Sequence, residues 1–499
     1  MPATSPEIQS FPMTGTSLLA KPSSFPEEEE ESKSTVSLLK SKSSSVLSAT
    51  GRSSSTVVVL SILLLTTCAS LIAAFAFAFL FFSSSTSSSS SAVKNRSAFR
   101  SVTTLPHPVV LLISSDGFRF GYQYKTDTPN IHRLINNGTE AAPGLIPVFP
   151  TLTFPNHYSI VTGLYPPYHG IINNYFVDPV DGDTFSMSSH EPKWWLGEPM
   201  WETVVNHGLQ AATFFWPGSE VKKGAWDCAP EYCQMYNESV SFDQRVDTIL
   251  SYFDHPEDSS KLPSFLTLYF EDPDEEGHKV GPDDVMITEA VANIDRLIGR
   301  IIDGLEERNV FQDVHVILVG DHGMVGTCDK KLITLSDLSP WIEIPNSWIQ
   351  STTPVLSIRP ITPSPDPADV VFKMNKALES GKIDNGAHLK MYLKEDLPKR
   401  LHYADSYRIP PIVGILDEGY TVEKLKSTGR ECGGAHGYDN RFFSMRTVFF
   451  GHGPRFQRGL KIPSFENVEI YNLIADILGI QGAPNNGSSQ FAERALLPK

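Results

Sequence analysis

A chain of 499 residues, 40% hydrophobic and 20% charged, is long enough to bury a large core in one or two domains. Its formal net charge of −16 and a pI near 5.3 argue against a general nucleic-acid binder, which carries a basic face. Five cysteines with no C-x-x-C pair argue against a structural zinc site.

Residues 1–55 are rich in Ser, Pro and charge, with an acidic run at Glu27–Glu31. They hold too few apolar residues for a core and read as a disordered cytosolic tail. Val57 to Phe82 is an apolar run broken only by Ser, Thr and Cys. As a helix it would reach about 39 Å, beyond the ~30 Å of a hydrocarbon core. It is too long and too far from the start for a cleaved signal peptide, so 56–82 is expected to be a transmembrane signal anchor. Lys40, Lys42 and Arg52 precede it and Lys94, Arg96 and Arg100 follow it, a tie for the positive-inside rule. The N-x-S/T sequons at Asn95, Asn137, Asn237 and Asn486 all follow it and break the tie. The expectation is a single-pass type II membrane protein, with a Ser-rich stalk at 83–104 and its globular part in the secretory lumen or at the cell surface. Cys228, Cys233, Cys328 and Cys432 are an even set for an oxidising space. Pairing 228 with 233 closes a short loop and 328 with 432 a long one, with two other pairings open.

From about Pro106 strands and helices alternate. Pro108–Ile113, Ser264–Phe270 and Val314–Val319 are short apolar runs suited to buried parallel strands. Val285 to Leu305 repeats apolar residues at helical spacing, and Glu466 to Leu478 reads as another helix. The pattern predicts an α/β fold whose ligands sit beyond the carboxyl ends of a mainly parallel sheet. Between the first two strands, Thr153-Phe-Pro-Asn-His precedes an apolar-periodic run, with Pro155 in the first turn. That places the Thr153 hydroxyl at a helix N-terminus, where free amides and the helix dipole favour an anion. The hydroxyl becomes a nucleophile towards phosphate only if something lowers its pKa.

The activator is legible at the strand ends. Asp116 follows the first strand, Asp274-x-x-x-His278 the second and Asp321-His322 the third, while His436 lies in a later glycine-framed loop. Three aspartates and three histidines on one rim match the donor set that suits zinc, enough for two ions with three ligands each. Two metals roughly 3.5–4 Å apart clamp the attacking and leaving oxygens of an in-line displacement at phosphorus.

These motifs, with Gly320-Asp-His-Gly-Met324 and His436-Gly-Tyr-Asp-Asn440, resemble the nucleotide pyrophosphatase/phosphodiesterase family of the alkaline phosphatase superfamily. The resemblance runs from about Val109 to about Ile480. It implies an alkaline-phosphatase-like catalytic domain over 105–480, a cap insertion at about 351–431 with a helix near Ala368–Ser380, and a C-terminal tail at 481–499. It implies one zinc held by Asp274, His278 and His436, and a second by Asp116, Asp321, His322 and the Thr153 oxygen. Asn174, with the amide after the nucleophile, corresponds to the oxyanion-stabilising position. Phe154 and Tyr236 correspond to a pair that sandwiches a nucleobase, with Trp216 lining the same pocket. The implied reaction passes through a covalent nucleotidyl-threonine on dinucleotides, nucleotide sugars or nucleoside triphosphates. Glu220 departs from the Asp that often follows Trp-Pro-Gly-Ser in the family.

Rival readings remain within reach of test. A choline-type phospholipid phosphodiesterase of the same family needs a cation-accepting pocket in place of the base slot. A catalytically inactive surface receptor would keep the fold without the chemistry. A sulfatase is disfavoured because Thr153-Phe-Pro-Asn-His lacks the arginine of a sulfatase motif. A monoesterase wants a basic grip on extra phosphate oxygens beside Thr153, which the sequence does not offer.

Overall fold

In the computed structural model, which describes residues 105–254, 261–361, 365–426 and 432–498, the apolar run after Pro108 becomes the central strand β1 (Val109–Ser115) of a seven-stranded sheet. The other strands are β2 (Thr139–Ala141), β3 (Ala211–Phe214), β4 (Phe265–Phe270), β5 (Val314–Val319), β6 (Phe449–His452) and β7 (Leu460–Ile462), in the order β7-β2-β6-β5-β1-β4-β3. β3, β4, β1 and β5 run parallel, and β6 turns antiparallel between β5 and β2. The fold is therefore α/β with a mostly parallel central sheet. The expected cytosolic tail, signal anchor and stalk lie outside the described residues. Among the described residues no helix is long and apolar enough to cross a membrane.

Side chains alternate across β1, so the strand is buried on both faces. Val109, Leu111 and Ile113 join the core beneath α1 (Pro129–Asn136), α3 (Phe242–Ser251) and α5 (Val285–Glu307). Val110 and Leu112 face α2 (Thr153–Thr162) and α6 (Glu469–Leu478) on the other side. α5 starts where Asp284 accepts from the Met286 amide, satisfying one orphan donor of its first turn. Its apolar stripe, Ile287, Val291, Ile294, Ile298, Ile301 and Leu305, is the one that faces the sheet. Burying each such side chain stabilises the fold by about 1.5–3 kcal/mol.

Between β5 and β6 the chain builds a separate four-stranded antiparallel sheet from Ile349–Ser351, Val355–Ile358, Leu389–Leu393 and Ile412–Leu416. The helix Pro367–Leu378, capped by Asp366, covers it with Val370, Met374 and Ala377. Cys328 and Cys432 are bonded at the base of this segment, and Cys228 is bonded to Cys233. At the C-terminal end α7 (Ser489–Ala495) returns to the main core, its Phe491 ring 4.4 Å from Phe465.

Candidate active site

Parallel register brings the carboxyl ends of three strands together. Ser115 pairs with Phe270, Ser114 with Val319, and the Asp116 amide donates to Phe270 O at 2.9 Å. The residues just past these ends are Asp116, Asp321, His322 and, at the first turn of α4 (Asp274–Val280), Asp274. Placing Asp274 and His278 four apart on one short helix turns both to the same face.

Thr153 is the first residue of α2, with extended Leu152 as its cap. The loop before it is held by Asn156, whose Oδ1 accepts from Val148 N at 2.8 Å and whose Nδ2 donates to Pro150 O at 3.0 Å. Asn467 Nδ2 donates to the same Oδ1 at 2.9 Å, tying the loop to the chain just before α6. Thr153 Oγ1 lies 3.3 Å from His322 Nε2, so the expected nucleophile and the rim are one site. The Phe154 amide donates to Asn174 Oδ1 at 3.0 Å. It therefore orients Asn174, and the Asn174 amino group is the donor left to face an anion.

Each carboxylate has one oxygen without a hydrogen-bond partner, and in Asp116 and Asp321 the other is committed to the protein. Asp116 Oδ2 accepts from Tyr269 Oη at 2.7 Å, while its Oδ1 has none. Asp321 Oδ1 accepts from the amides of Gly117 and His322, both at 2.9 Å, while its Oδ2 has none. Asp274 Oδ1 is likewise unpartnered. The histidines repeat the arrangement: Nδ1 of His322, His436 and His278 donates to the carbonyls of Gly323, Thr151 and Gly434 at 2.9, 2.9 and 3.0 Å. That fixes the tautomer with Nε2 as the free acceptor. The freed atoms converge. His322 Nε2 is 3.3 Å from Asp116 Oδ1 and 3.0 Å from Asp321 Oδ2, and His436 Nε2 is 3.1 Å from His278 Nε2 and 3.6 Å from Asp274 Oδ1. Three imidazole lone pairs and three buried carboxylate oxygens aimed at one space repel each other unless a cation lies among them. The donor set fits a metal.

The site's electrostatics agree. Burial pushes Asp116 well above the usual carboxylate range, and Asp321 and Asp274 add to it. Burial pushes Asp321 up as well, but the rings of His322 and His157 together overcome it and hold the carboxyl well below its usual value. Burial and the neighbouring His322 push His436 down to about 3, which keeps its Nε2 lone pair free at neutral pH. One set of like-charged groups with divergent titration is a mark of a functional site.

Sequence reasoning missed two residues here. His157, fully buried one turn below Thr153, lies 3.3 Å from Asp321 Oδ2 through Nδ1. It groups with Asp116 and Asp321 within 4.8 Å, yet both its nitrogens are occupied: Nδ1 donates to Thr153 O at 2.9 Å and Nε2 accepts from Ser114 Oγ at 2.8 Å. Its ring packs against the carboxylate of Asp321, one of the expected metal ligands. Tyr269, the other, holds Asp116. The available signals were the spacing of 157 four past 153, and the place of Tyr269 one residue before the end of β4.

The aromatic residues divide. Phe154 is half-buried beside Phe185 and Trp195, ring centroids 6.2 and 6.1 Å away. Tyr236 is 50% exposed and packs edge-on to Phe215 at 5.2 Å. Trp216, expected to line a pocket, is only 2% exposed; its Nε1 donates to His157 O at 3.0 Å and its ring packs on the His157 ring at 5.0 Å. In this structure it forms the floor beneath the helix that begins at Thr153.

Comparison with known proteins places this geometry. Residues 110–439 match the family described as type I phosphodiesterase / nucleotide pyrophosphatase. Ectonucleotide pyrophosphatase/phosphodiesterase family member 3 of Bos taurus is 40% identical over 392 residues, covering 76% of this chain and 43% of its own length. A venom phosphodiesterase of Macrovipera lebetinus is 40% identical over 389 residues, covering 76% of this chain and 44% of its own. The chain thus spans less than half the length of the curated relatives it matches. Among solved structures, murine ectonucleotide pyrophosphatase / phosphodiesterase 5, an inactive variant in complex with AMP, superposes with a TM-score of 0.69 at 31% identity, over 78% of this chain and 100% of that one.

Proposed function

The chain belongs to the type I phosphodiesterase / nucleotide pyrophosphatase family, and from that premise we propose that it hydrolyses nucleotide phosphodiester or phosphoanhydride bonds, releasing nucleoside 5′-monophosphates. The observation that carries this reading is the convergence of three unpartnered carboxylate oxygens and three histidine Nε2 atoms beside the Thr153 hydroxyl. The donors suit two zinc ions. One would be held by Asp274, His278 and His436, the other by Asp116, Asp321, His322 and Thr153 Oγ1. When bound, zinc supplies Lewis-acid stabilisation of charge on oxygen and lowers the pKa of a coordinated hydroxyl.

The chain's own residues supply the rest. Thr153 Oγ1 attacks phosphorus, forming an Oγ1–P bond as the bond to the leaving oxygen breaks, which gives a nucleotidyl-threonine. Water then cleaves that Oγ1–P bond, releasing the monophosphate and restoring the hydroxyl. Asn174 Nδ2 donates to the nonbridging oxygen on which charge grows, and the start of α2 adds its dipole. Phe154 and Tyr236 give the nucleobase apolar walls, a contribution of roughly 1–3 kcal/mol per stacked base to affinity. The AMP held by the murine neighbour supports a nucleotide in this place.

We also read 56–82 as the membrane anchor that leaves the 105–480 domain in the secretory lumen or at the cell surface. The two disulfides support an oxidising compartment.

The test is hydrolysis of a nucleotide 5′-aryl phosphodiester by the purified protein, by Thr153→Ala, and by chelated protein with and without restored zinc. Activity is expected to need both the hydroxyl and the metal. A Thr153→Ala variant as active as the parent would refute the covalent route. A folded, zinc-loaded protein with no activity would refute the nucleotide reading.

A further inference from the structure

Arg245 on α3 is only 1% exposed, and every polar atom of its guanidinium is engaged. Nε donates to Val240 O at 3.0 Å and Nη1 to Tyr269 O at 2.9 Å. The two terminal nitrogens grip Glu271 end-on, at 2.7 Å to Oε2 and 2.9 Å to Oε1. Phe215 and Phe242 close over the cation, their centroids 5.0 and 4.9 Å from its central carbon. A buried ion pair is a poor way to stabilise a fold, because its desolvation offsets most of its attraction. Its use here lies in where it points Glu271.

Glu271 Oε1 also accepts from Tyr236 Oη at 2.9 Å. Tyr236 stands in the irregular loop between Cys233 and α3, half-exposed, with Phe215 against its edge. Its backbone amide donates to Glu220 Oε1 at 2.5 Å, and Glu220 Oε2 meets His190 Nδ1 at 3.0 Å. Glu271 follows the last residue of β4 and stands three residues before Asp274, whose amide donates to the Glu271 carbonyl at 3.2 Å. One carboxylate thus ties the phenol of an exposed aromatic residue to the turn that carries Asp274 and His278.

We infer that the Arg245–Glu271 pair is a positioning device that fixes the Tyr236 ring over the substrate site and so sets affinity for base-bearing diesters. The inference rests on the nucleotide reading above. An untethered ring would have to be ordered by each incoming base, and fixing it beforehand removes that entropic cost from binding. Glu220 takes a related part by holding the backbone of the same residue, which gives a structural role to the longer acid at that position.

The test uses steady-state kinetics at saturating zinc on two substrates with one leaving group: a thymidine 5′-p-nitrophenyl diester and methyl p-nitrophenyl phosphate, which has no base. Tyr236→Phe keeps the ring and removes only the hydroxyl, leaving the buried ion pair intact. The preference for the thymidine diester is expected to fall about 5- to 10-fold, the size of one lost hydrogen bond, through a higher KM and not a lower kcat. Glu271→Gln should move the same preference in the same direction, with its melting temperature recorded because Arg245 loses its counter-charge. If Tyr236→Ala lowers the preference but Tyr236→Phe does not, the ring matters and the tether does not, and the inference fails while the nucleotide reading stands. If neither changes it, Tyr236 does not meet the base and the pocket assignment itself falls. If Tyr236→Phe lowers kcat equally on both substrates, the tether acts on the Asp274 turn and the inference fails.

Discussion

Tyr269→Phe is the sharpest probe of the site, because it removes one hydroxyl and no bulk. In the parent, Tyr269 Oη donates to Asp116 Oδ2 at 2.7 Å, within the range of a hydroxyl bonded to a charged oxygen. Asp116 is only 2% exposed and burial already disfavours its charged form, with Asp321 and Asp274 opposing it further. The hydroxyl opposes these larger effects in part, and by engaging Oδ2 it leaves Oδ1 to face the rim. A hydrogen bond to a charged group is worth about 1.5–3 kcal/mol, a factor of about 10–150 in an equilibrium. Loss of an outer-shell partner typically costs 10–100-fold in metal affinity. The two routes agree. Zinc competition against a chelator of known strength should therefore show the variant binding one to two orders of magnitude more weakly, while its near-ultraviolet circular dichroism matches the parent. At saturating zinc most of the activity should return. Parental zinc affinity in the folded variant would refute the claim that Tyr269 prepares Asp116 as a ligand.

Two further predictions concern histidines. His157→Asn keeps a donor near the Nδ1 position and His157→Phe keeps only the ring. Zinc affinity should fall in the order parent, Asn, Phe, with the Phe variant about 10–100-fold weaker in the same chelator competition; parental affinity in Phe would show that His157 does not hold Asp321. At the opposite end of the sheet, burial pushes His315 and His452 down to about 4 from an unfolded value near 6.5. The unfolded chain therefore binds more protons between these values, so stability is full above about pH 6.5 and is lost as pH falls towards 4. His315 alone, 3% exposed and bonded to Val109 O and Arg455 N, accounts for on the order of 3 kcal/mol. Urea midpoints from pH 7 to 4 should fall less steeply in His315→Gln, and an equally steep fall would refute the assignment.

What the sequence disclosed and what it withheld follow from range. The runs ending at Ile113, Phe270 and Val319 announce buried parallel strands, and the acids just beyond them announce a rim, because both signals lie within a few neighbouring residues. The helix at Thr153 is legible from Pro155 and the apolar spacing. The short strands β2, β6 and β7 were not, since three or four residues give too little period to read and their pairing joins positions 139, 451 and 460. The antiparallel sheet of the insertion was hidden for the same reason. His157, Tyr269 and the floor position of Trp216 depend on which side chains face one another across about 60 to 165 residues of sequence, and no local pattern encodes that.

The spread of the ligands along the chain has a consequence for biosynthesis. Asp116 and His436 stand 320 residues apart (436 − 116), and β6, which pairs with β5, follows both. At a synthesis rate of about 5–20 residues per second, about 16–64 s separate the first ligand from the last. Contacts this distant along the chain form late in folding. The complete ligand set is therefore absent for most of translation, and nascent chains arrested before residue 436 should lack the zinc assigned to Asp274, His278 and His436.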